Sequence, residues 1–151
     1  MSRPLIVQKF GGSSVANPER IQRVAQRVVD AKRRGHDVVG GVSARGDTTD
    51  ELLALARQIS QHPPERELDM LMATGEQVSV ALLAMAIEEL GERAISFTGA
   101  QVGILTDGVH TKAKLIDINA KRILEELVKG RIVIVAGFQG VSMTQDITTL
   151  G

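Results

Sequence analysis

Cysteine, tryptophan and tyrosine are absent from this 151-residue sequence, and phenylalanine occurs only three times. Without cysteine the chain can form no disulfide, no thiolate zinc site and no cysteine nucleophile. With so few aromatic side chains it also lacks the stacking surfaces that bind single-stranded nucleic acid. We therefore expect no nucleic-acid partner.

An excess of charge of either sign is missing as well, because 18 Lys and Arg residues balance 18 Asp and Glu residues. The chain therefore has no overall field that would attract nucleic acid or an anionic membrane. Its longest apolar run, residues 80–87, is far shorter than the roughly 20 residues that span a bilayer. No signal peptide is recognisable at the start. We expect a cytoplasmic protein without a membrane partner.

The amino-acid composition, with 43% hydrophobic and 24% charged residues, is typical of an ordinary globular protein. Strand and helix patterns alternate along the whole chain. The predicted strands are residues 5–10, 37–43, 94–98, 113–118 and 131–136, and the predicted helices are 18–34, 49–59, 65–73, 76–90 and 120–129. This order favours an α/β fold, a three-layer αβα sandwich with a mainly parallel sheet and helices on both faces.

Local signals refine these elements. Asn17 followed by proline predicts a capped helix start, and Thr48 with Glu51 forms a capping-box pattern that predicts Thr48 as the next N-cap. Gly75 is interpreted as a break between two helices. Glycines 40 and 41 predict a weakened or bulged second strand. Residues 146–151 are turn-like, without a final strand or helix.

The first candidate site is the segment from Lys9 to Ser14 that follows the first strand. Glycines 11 and 12 allow backbone N–H groups to approach phosphate oxygens, and a lysine supplies a mobile positive charge. The pattern is neither a Walker A motif nor a dinucleotide fingerprint. A tight strand-to-helix turn with a solvated lysine is the alternative.

The second candidate is the segment from Ser43 to Asp50, again between a strand and a helix. Its hydroxyl and N–H groups could bind a carboxylate or a phosphate. Thr48 has a capping role available, whereas Thr49 is freer to face a ligand. For Arg45 the pattern leaves anion binding or simple exposure to solvent open, and we favour exposure.

The third candidate is Glu76, predicted in the first turn of the most apolar helix. The helix dipole alone could stabilise a carboxylate there. A charge beside so apolar a helix is nevertheless costly unless it has a partner, such as a substrate ammonium group. The three histidines share no metal-ligand spacing, so no protein metal site is predicted.

Six segments, in the same order and spacing, resemble the aspartate kinase family, which has the amino-acid kinase fold (carbamate kinase-like). They are residues 9–15, 42–52, 74–77, 96–101, 135–140 and 147–151. One such segment would be weak support, but six in register cover essentially the whole chain.

The resemblance implies an ATP site in the first candidate segment. Lys9 would be the catalytic residue that holds the transferring phosphate, together with Phe10, Gly11, Gly12 and Ser13. Mg²⁺ would accompany ATP as a cofactor. A carboxylate acceptor is already deprotonated at neutral pH, so positioning and charge neutralisation suffice and no general base is needed.

The resemblance also implies that Ser43, Thr49 and Glu76 bind L-aspartate, with Glu76 pairing with the α-amino group. The implied reaction forms ADP and 4-phospho-L-aspartate, the first step towards lysine, threonine and methionine. Residues 1–151 would be the N-terminal, substrate-binding half of the kinase domain, without the nucleotide-binding half or the C-terminal ACT domains. We therefore expect an inactive fragment that forms homo-oligomers or associates with the missing half.

Two alternatives stay open. Another kinase of this fold could take glutamate, N-acetylglutamate or a carbamate, although an acceptor without a free amino group would not need Glu76. A non-catalytic amino-acid-binding module of the same fold is the second alternative, although such a module would have no use for Lys9.

Overall fold

The computed structural model describes residues 3–151, which form eight strands, four α-helices and one short 3-10 helix (Gly12–Val15). The strands are β1 (Leu5–Phe10), β2 (Asp37–Val42), β3 (Ala94–Phe97), β4 (Ile104–Thr106), β5 (Leu115–Ile118), β6 (Ile132–Ala136), β7 (Gln139–Val141) and β8 (Ile147–Thr149). The helices are α1 (Pro18–Arg33), α2 (Thr48–Ile59), α3 (Glu65–Glu89) and α4 (Lys121–Val128).

The main sheet has the strand order β1-β2-β6-β3, and all its neighbouring strands are parallel. Every residue of β6 is buried, as its uninterrupted apolar sequence predicts for an interior strand. Helices α1 and α3 pack on one face, in a cluster that includes Ile132 and Ile134. Helix α4 packs on the other face, against Val133 and Val135. The predicted three-layer α/β fold is confirmed.

A second, smaller sheet with the order β5-β4-β7-β8 lies beside the first. It is mixed, because β4–β5 and β7–β8 are antiparallel while β4–β7 is parallel. The hydroxyls of Thr106 and Thr148 lie 2.6 Å apart in its buried interior. Only β5 was predicted, and residues 147–149 form a strand where the sequence predicted a turn.

The start of α1 follows the prediction, because the Asn17 side chain accepts a 2.9 Å hydrogen bond from the Arg20 N–H. The start of α2 does not. Asp47 is its N-cap residue, Thr48 is already helical, and no side chain caps the helix. The predicted capping box is therefore wrong.

Helix α3 runs without a break through Gly75, so the predicted boundary between two helices is wrong. A Cβ at Gly75 would lie 2.9 Å from the Cβ of Ala44, which follows β2. Glycine is therefore needed here for the close approach of the helix to that loop, and not to end a helix. As a consequence, Glu76 lies in the middle of α3 rather than in a first turn.

The glycine pair in β2 does not disturb the strand either. Gly40 and Gly41 pair in regular register with β1 and β6. A Cβ at Gly40 would lie 3.0 Å from the end of the Ile134 side chain. The predicted bulge is therefore wrong, because both glycines keep the regular register, whereas the predicted weakening of the strand stays a prediction.

By length and composition, α3 could also cross a membrane, with a mean hydropathy of 1.6 over its most apolar 18-residue window. It packs against α1, β3 and β8 and carries the buried carboxyl groups of Asp69 and Glu76. The core helix of a globular protein meets the same criteria. We therefore interpret α3 as the central helix of the core.

Candidate functional site

A cavity of about 520 Å³ opens where β1, β2 and β6 end, at the carboxyl edge of the main sheet. Ligands of open α/β sheets bind at this edge. Of the predicted site residues, those that line the cavity are Gly12, Ser43, Thr49 and Glu76. Other polar or aromatic residues in its wall, which the sequence did not single out, are Asp69, Thr111, Phe138 and Thr149.

Glu76 is the most unusual of these groups. Its side chain is only 8% exposed, and its Oε2 atom has no hydrogen-bond partner among residues 3–151. Burial raises the pKa of Glu76 to about 7. Because the residue lies in the middle of α3, the helix N-terminus does not compensate its charge. Glu76 thus lines the cavity and has an unused acceptor, suited to a ligand that donates hydrogen bonds and carries positive charge.

Ser43 and Thr49 reach the same cavity from the loop that joins β2 to α2. Ser43 is half-buried, and its backbone N–H donates to the Phe10 carbonyl at 3.1 Å. Thr49 is the second residue of α2 and is exposed. The structure thus brings both hydroxyl-bearing residues to the cavity that Glu76 lines.

The two glycines after β1 differ in their surroundings. Gly12 accepts a 2.9 Å hydrogen bond from the Gly46 N–H, and a Cβ at Gly12 would lie 2.6 Å from the Ala44 carbonyl oxygen. A Cβ at Gly11, by contrast, would meet no described atom within 4 Å. Packing therefore requires glycine at position 12, whereas position 11 faces open space.

Lys9 does not line the cavity directly, but its Nζ lies 5.0 Å from the centre of the Phe138 ring, which does. This is a cation–π distance. Phe138 has a left-handed backbone, with φ of 55°, in the turn between β6 and β7. The positive charge of Lys9 is thus held next to one wall of the cavity.

The remaining residues of the first candidate segment contribute differently. Phe10 is 7% exposed and its side chain belongs to the core, so its ring does not reach the site. Ser13 is exposed, and its carbonyl accepts a 2.7 Å hydrogen bond from Arg20. Arg45 is half-buried and donates to the Ala16 carbonyl at 3.2 Å, so its predicted exposure to solvent is wrong.

Asp69 is the principal residue that the sequence reasoning missed. It is fully buried on α3, seven residues before Glu76. Its carboxylate contacts His110, Thr111 and Thr149. The spacing of seven residues, which places two carboxyl groups on one helix face, was the available signal. The predicted helix break at position 75 concealed it.

Within the described part of the chain, no three His, Cys, Asp or Glu side chains are grouped so as to hold a metal ion. Mg²⁺ commonly keeps water and substrate phosphate oxygens as most of its ligands.

Comparison with known proteins gives consistent matches. The sequence model of the amino acid kinase family matches residues 4–151. An aspartokinase of Mycolicibacterium smegmatis is 60% identical over 148 residues, which are 97% of this chain and 35% of that protein. The crystal structure of aspartate kinase from Synechocystis has a TM-score of 0.82 and 49% identity, covering 97% of this chain and 24% of that one.

The fold is shared at lower identity as well. The crystal structure of E. coli aspartokinase III in complex with aspartate and ADP matches with a TM-score of 0.84 at 22% identity. The match covers 98% of this chain and 43% of that chain. This chain thus spans only about a third of the length of the curated relatives it matches.

Proposed function

This chain belongs to the amino acid kinase family, and we propose that it forms the aspartate-binding half of an aspartate kinase. The proposed reaction transfers the γ-phosphoryl group of ATP to the side-chain carboxylate of L-aspartate and yields 4-phospho-L-aspartate. This reaction begins the synthesis of lysine, threonine and methionine, which is consistent with a cytoplasmic enzyme.

The observation that carries this proposal is the buried and unpartnered Oε2 of Glu76. An isolated buried carboxylate is destabilising unless a cation or hydrogen-bond donor compensates it. The α-ammonium group of an amino acid supplies both. A carbamate or an N-acylated acceptor has no such group, so Glu76 favours a free amino acid over those alternatives. Resemblance to aspartokinases, one of which was crystallised with aspartate, supports aspartate as that amino acid.

The other residues fit the remaining parts of the reaction. Ser43 and Thr49 would bind the carboxylates of aspartate through their hydroxyl groups. Lys9, beside the cavity wall, would neutralise charge on the transferring phosphoryl group. The open space beside Gly11 leaves room for a phosphate oxygen to approach the backbone.

ATP would be held at the turn formed by Gly11, Gly12 and Ser13, next to Lys9. A bound Mg²⁺ would supply further neutralisation of phosphate charge, with ligands from the nucleotide and water. We propose that these 151 residues alone do not catalyse turnover, because about two thirds of the length of the relatives has no counterpart here. Association with that remainder, or between copies of the chain, would complete the enzyme.

Calorimetric titration of the purified chain with L-aspartate and with succinate tests the acceptor. Succinate retains both carboxylates but lacks the amino group. We expect succinate to bind at least about tenfold more weakly, as for a lost hydrogen bond to a charged group. The Glu76→Gln variant should bind the two ligands with similar affinity. Equal binding of both ligands by the unmodified chain would contradict the role of Glu76.

Release of ADP from Mg·ATP in the presence of L-aspartate tests the catalytic part. No turnover is expected from the 151-residue chain alone. Turnover would establish aspartate as the acceptor and refute the expectation that further residues are required. A Lys9→Ala variant that binds Mg·ATP as tightly as the unmodified chain would favour the non-catalytic amino-acid-binding module, in which Lys9 has no phosphate to hold.

A further inference from the structure

A second buried carboxyl group, Asp69, lies on the same face of α3 as Glu76 and also lines the cavity. Its relative exposure is 0%, against 8% for Glu76. A fully buried acidic group persists in a folded protein when its oxygens are compensated by donors. The donors around Asp69 therefore indicate what it does.

Both oxygens of Asp69 are fully used. Oδ1 accepts hydrogen bonds from the Thr149 hydroxyl at 2.6 Å and from the Thr111 N–H at 3.1 Å. Oδ2 also accepts from the Thr111 N–H at 3.1 Å, and the His110 Nδ1 lies 2.7 Å away. This carboxylate thus has no free acceptor for a ligand, in contrast to the Oε2 of Glu76.

These contacts join three separate parts of the chain. Asp69 belongs to α3, His110 and Thr111 belong to the loop between β4 and β5, and Thr149 belongs to β8. Thr111 has a left-handed backbone, with φ of 67°, which is unfavourable for a β-branched residue. The bifurcated hydrogen bond from its N–H to Asp69 compensates that conformation.

We infer that Asp69 is a positioning residue for the acceptor site, an inference that rests on the proposed function. It fixes the part of the cavity wall formed by Thr111 and Thr149 relative to the helix that carries Glu76. The amino group and the carboxylates of a small amino acid then meet groups held at constant separation. Asp69 itself does not bind the ligand, because both its oxygens are occupied.

His110 allows this inference to be tested without altering the cavity wall. It contacts Asp69 but does not line the cavity, and its side chain is only 17% exposed. His110→Ala removes the contact to Oδ2. His110→Asn keeps an N–H donor close to the position of Nδ1 and is the matched control. Asp69→Asn is the direct variant, which preserves shape but replaces one acceptor with a donor.

The Kd for L-aspartate is measured by calorimetry for each variant, beside its urea unfolding curve. We expect Kd to rise at least about tenfold in Asp69→Asn and about threefold in His110→Ala. His110→Asn should remain within about twofold of the unmodified chain, as expected if the donor alone matters. If Asp69→Asn does not fold, the two histidine variants decide the question.

A purely structural role would lower the urea midpoint of His110→Ala while leaving its Kd unchanged, and that result would overturn the inference. The proposed function fails in a different way, when the unmodified chain binds no L-aspartate at all. Binding by the unmodified chain together with an unchanged Kd in both Asp69→Asn and His110→Ala refutes only the positioning role.

Discussion

Glu76 should make the stability of this protein depend on pH in a direction opposite to that of an ion-paired carboxylate. Its ordinary pKa of 4.5 applies in the unfolded chain, whereas burial raises the pKa to about 7 in the folded protein. Between these pH values the folded protein retains a proton that the unfolded chain has released. The free energy of unfolding therefore falls as the pH rises.

The size of this effect follows from the difference between the two pKa values. Each pH unit in the window changes the free energy of unfolding by about 1.4 kcal/mol. Over the full window from 4.5 to about 7 the loss is therefore on the order of 3 kcal/mol. Stabilisation by the protonated form is complete below pH 4.5 and is lost by the time the pH exceeds about 7.

Urea unfolding of the unmodified chain and of Glu76→Gln, at several pH values from 4.5 to 8, measures this loss. Subtracting one set of free energies from the other cancels the contributions of groups common to both proteins. As the pH rises, the free energy of unfolding of the unmodified chain should fall relative to that of Glu76→Gln. Glu89→Gln, which alters an exposed glutamate of the same helix, controls for the removal of one negative charge.

This reasoning would be refuted if the free energies of unfolding of the unmodified chain and of Glu76→Gln differed by the same amount at every pH. Ligand binding supplies an independent check. Because the ionised carboxylate pairs with an ammonium group, L-aspartate should bind more tightly as the pH rises towards about 7. That dependence should be absent from Glu76→Gln.

Three further predictions concern packing, each checked by urea unfolding. Leu83→Ala, in a fully buried position, should cost about 2–5 kcal/mol. Gly12→Ala should lower the urea midpoint because its Cβ meets a backbone carbonyl oxygen, whereas Gly11→Ala, with nothing within 4 Å, should leave it unchanged. Gly75→Ala should destabilise α3, despite the better helix propensity of alanine, because its Cβ would lie 2.9 Å from that of Ala44. If Gly75→Ala were instead more stable, the loop that contains Ala44 would have to shift easily to accommodate the added methyl group.

The main sheet could be predicted from the sequence because its signals are local. Strand β6 is apolar throughout, and the start of α1 has a capping residue followed by proline. Such patterns depend only on burial and on backbone chemistry within a few residues. The order β1-β2-β6-β3 could not be predicted, because it depends on which strands meet in space.

The second sheet escaped prediction because its strands β4, β7 and β8 have only three residues each and contain buried polar side chains. The hydroxyl groups of Thr106 and Thr148 form a hydrogen bond with each other across the sheet. In the sequence, where this partner is not visible, each threonine is typical of an exposed loop. Gly75 was misread for a similar reason. In the sequence alone, a glycine that ends a helix cannot be told from one that allows close packing. Only the close approach of the neighbouring loop identifies Gly75 as the second kind.

Residues of the candidate site could be predicted where they follow strands of the main sheet, as Gly12 and Ser43 do. Their location reflects a general rule for ligands of α/β sheets. Thr111 and Thr149 could not be predicted, because their contacts with Asp69 join residues 42 and 80 positions apart. The roles proposed for Lys9, Thr49 and Glu76 remain predictions until ligand binding is measured.

Because α3 is uninterrupted, Asp69 and Glu76 are held at a fixed separation along one helix. Seven residues correspond to about 10.5 Å along the helix axis and almost two full turns. Inserting or deleting one residue between them would rotate Glu76 by about 100° relative to Asp69 and remove it from the cavity. Changes of length should therefore be tolerated in surface loops of this protein but not within this stretch of helix, where substitution alone can vary the sequence.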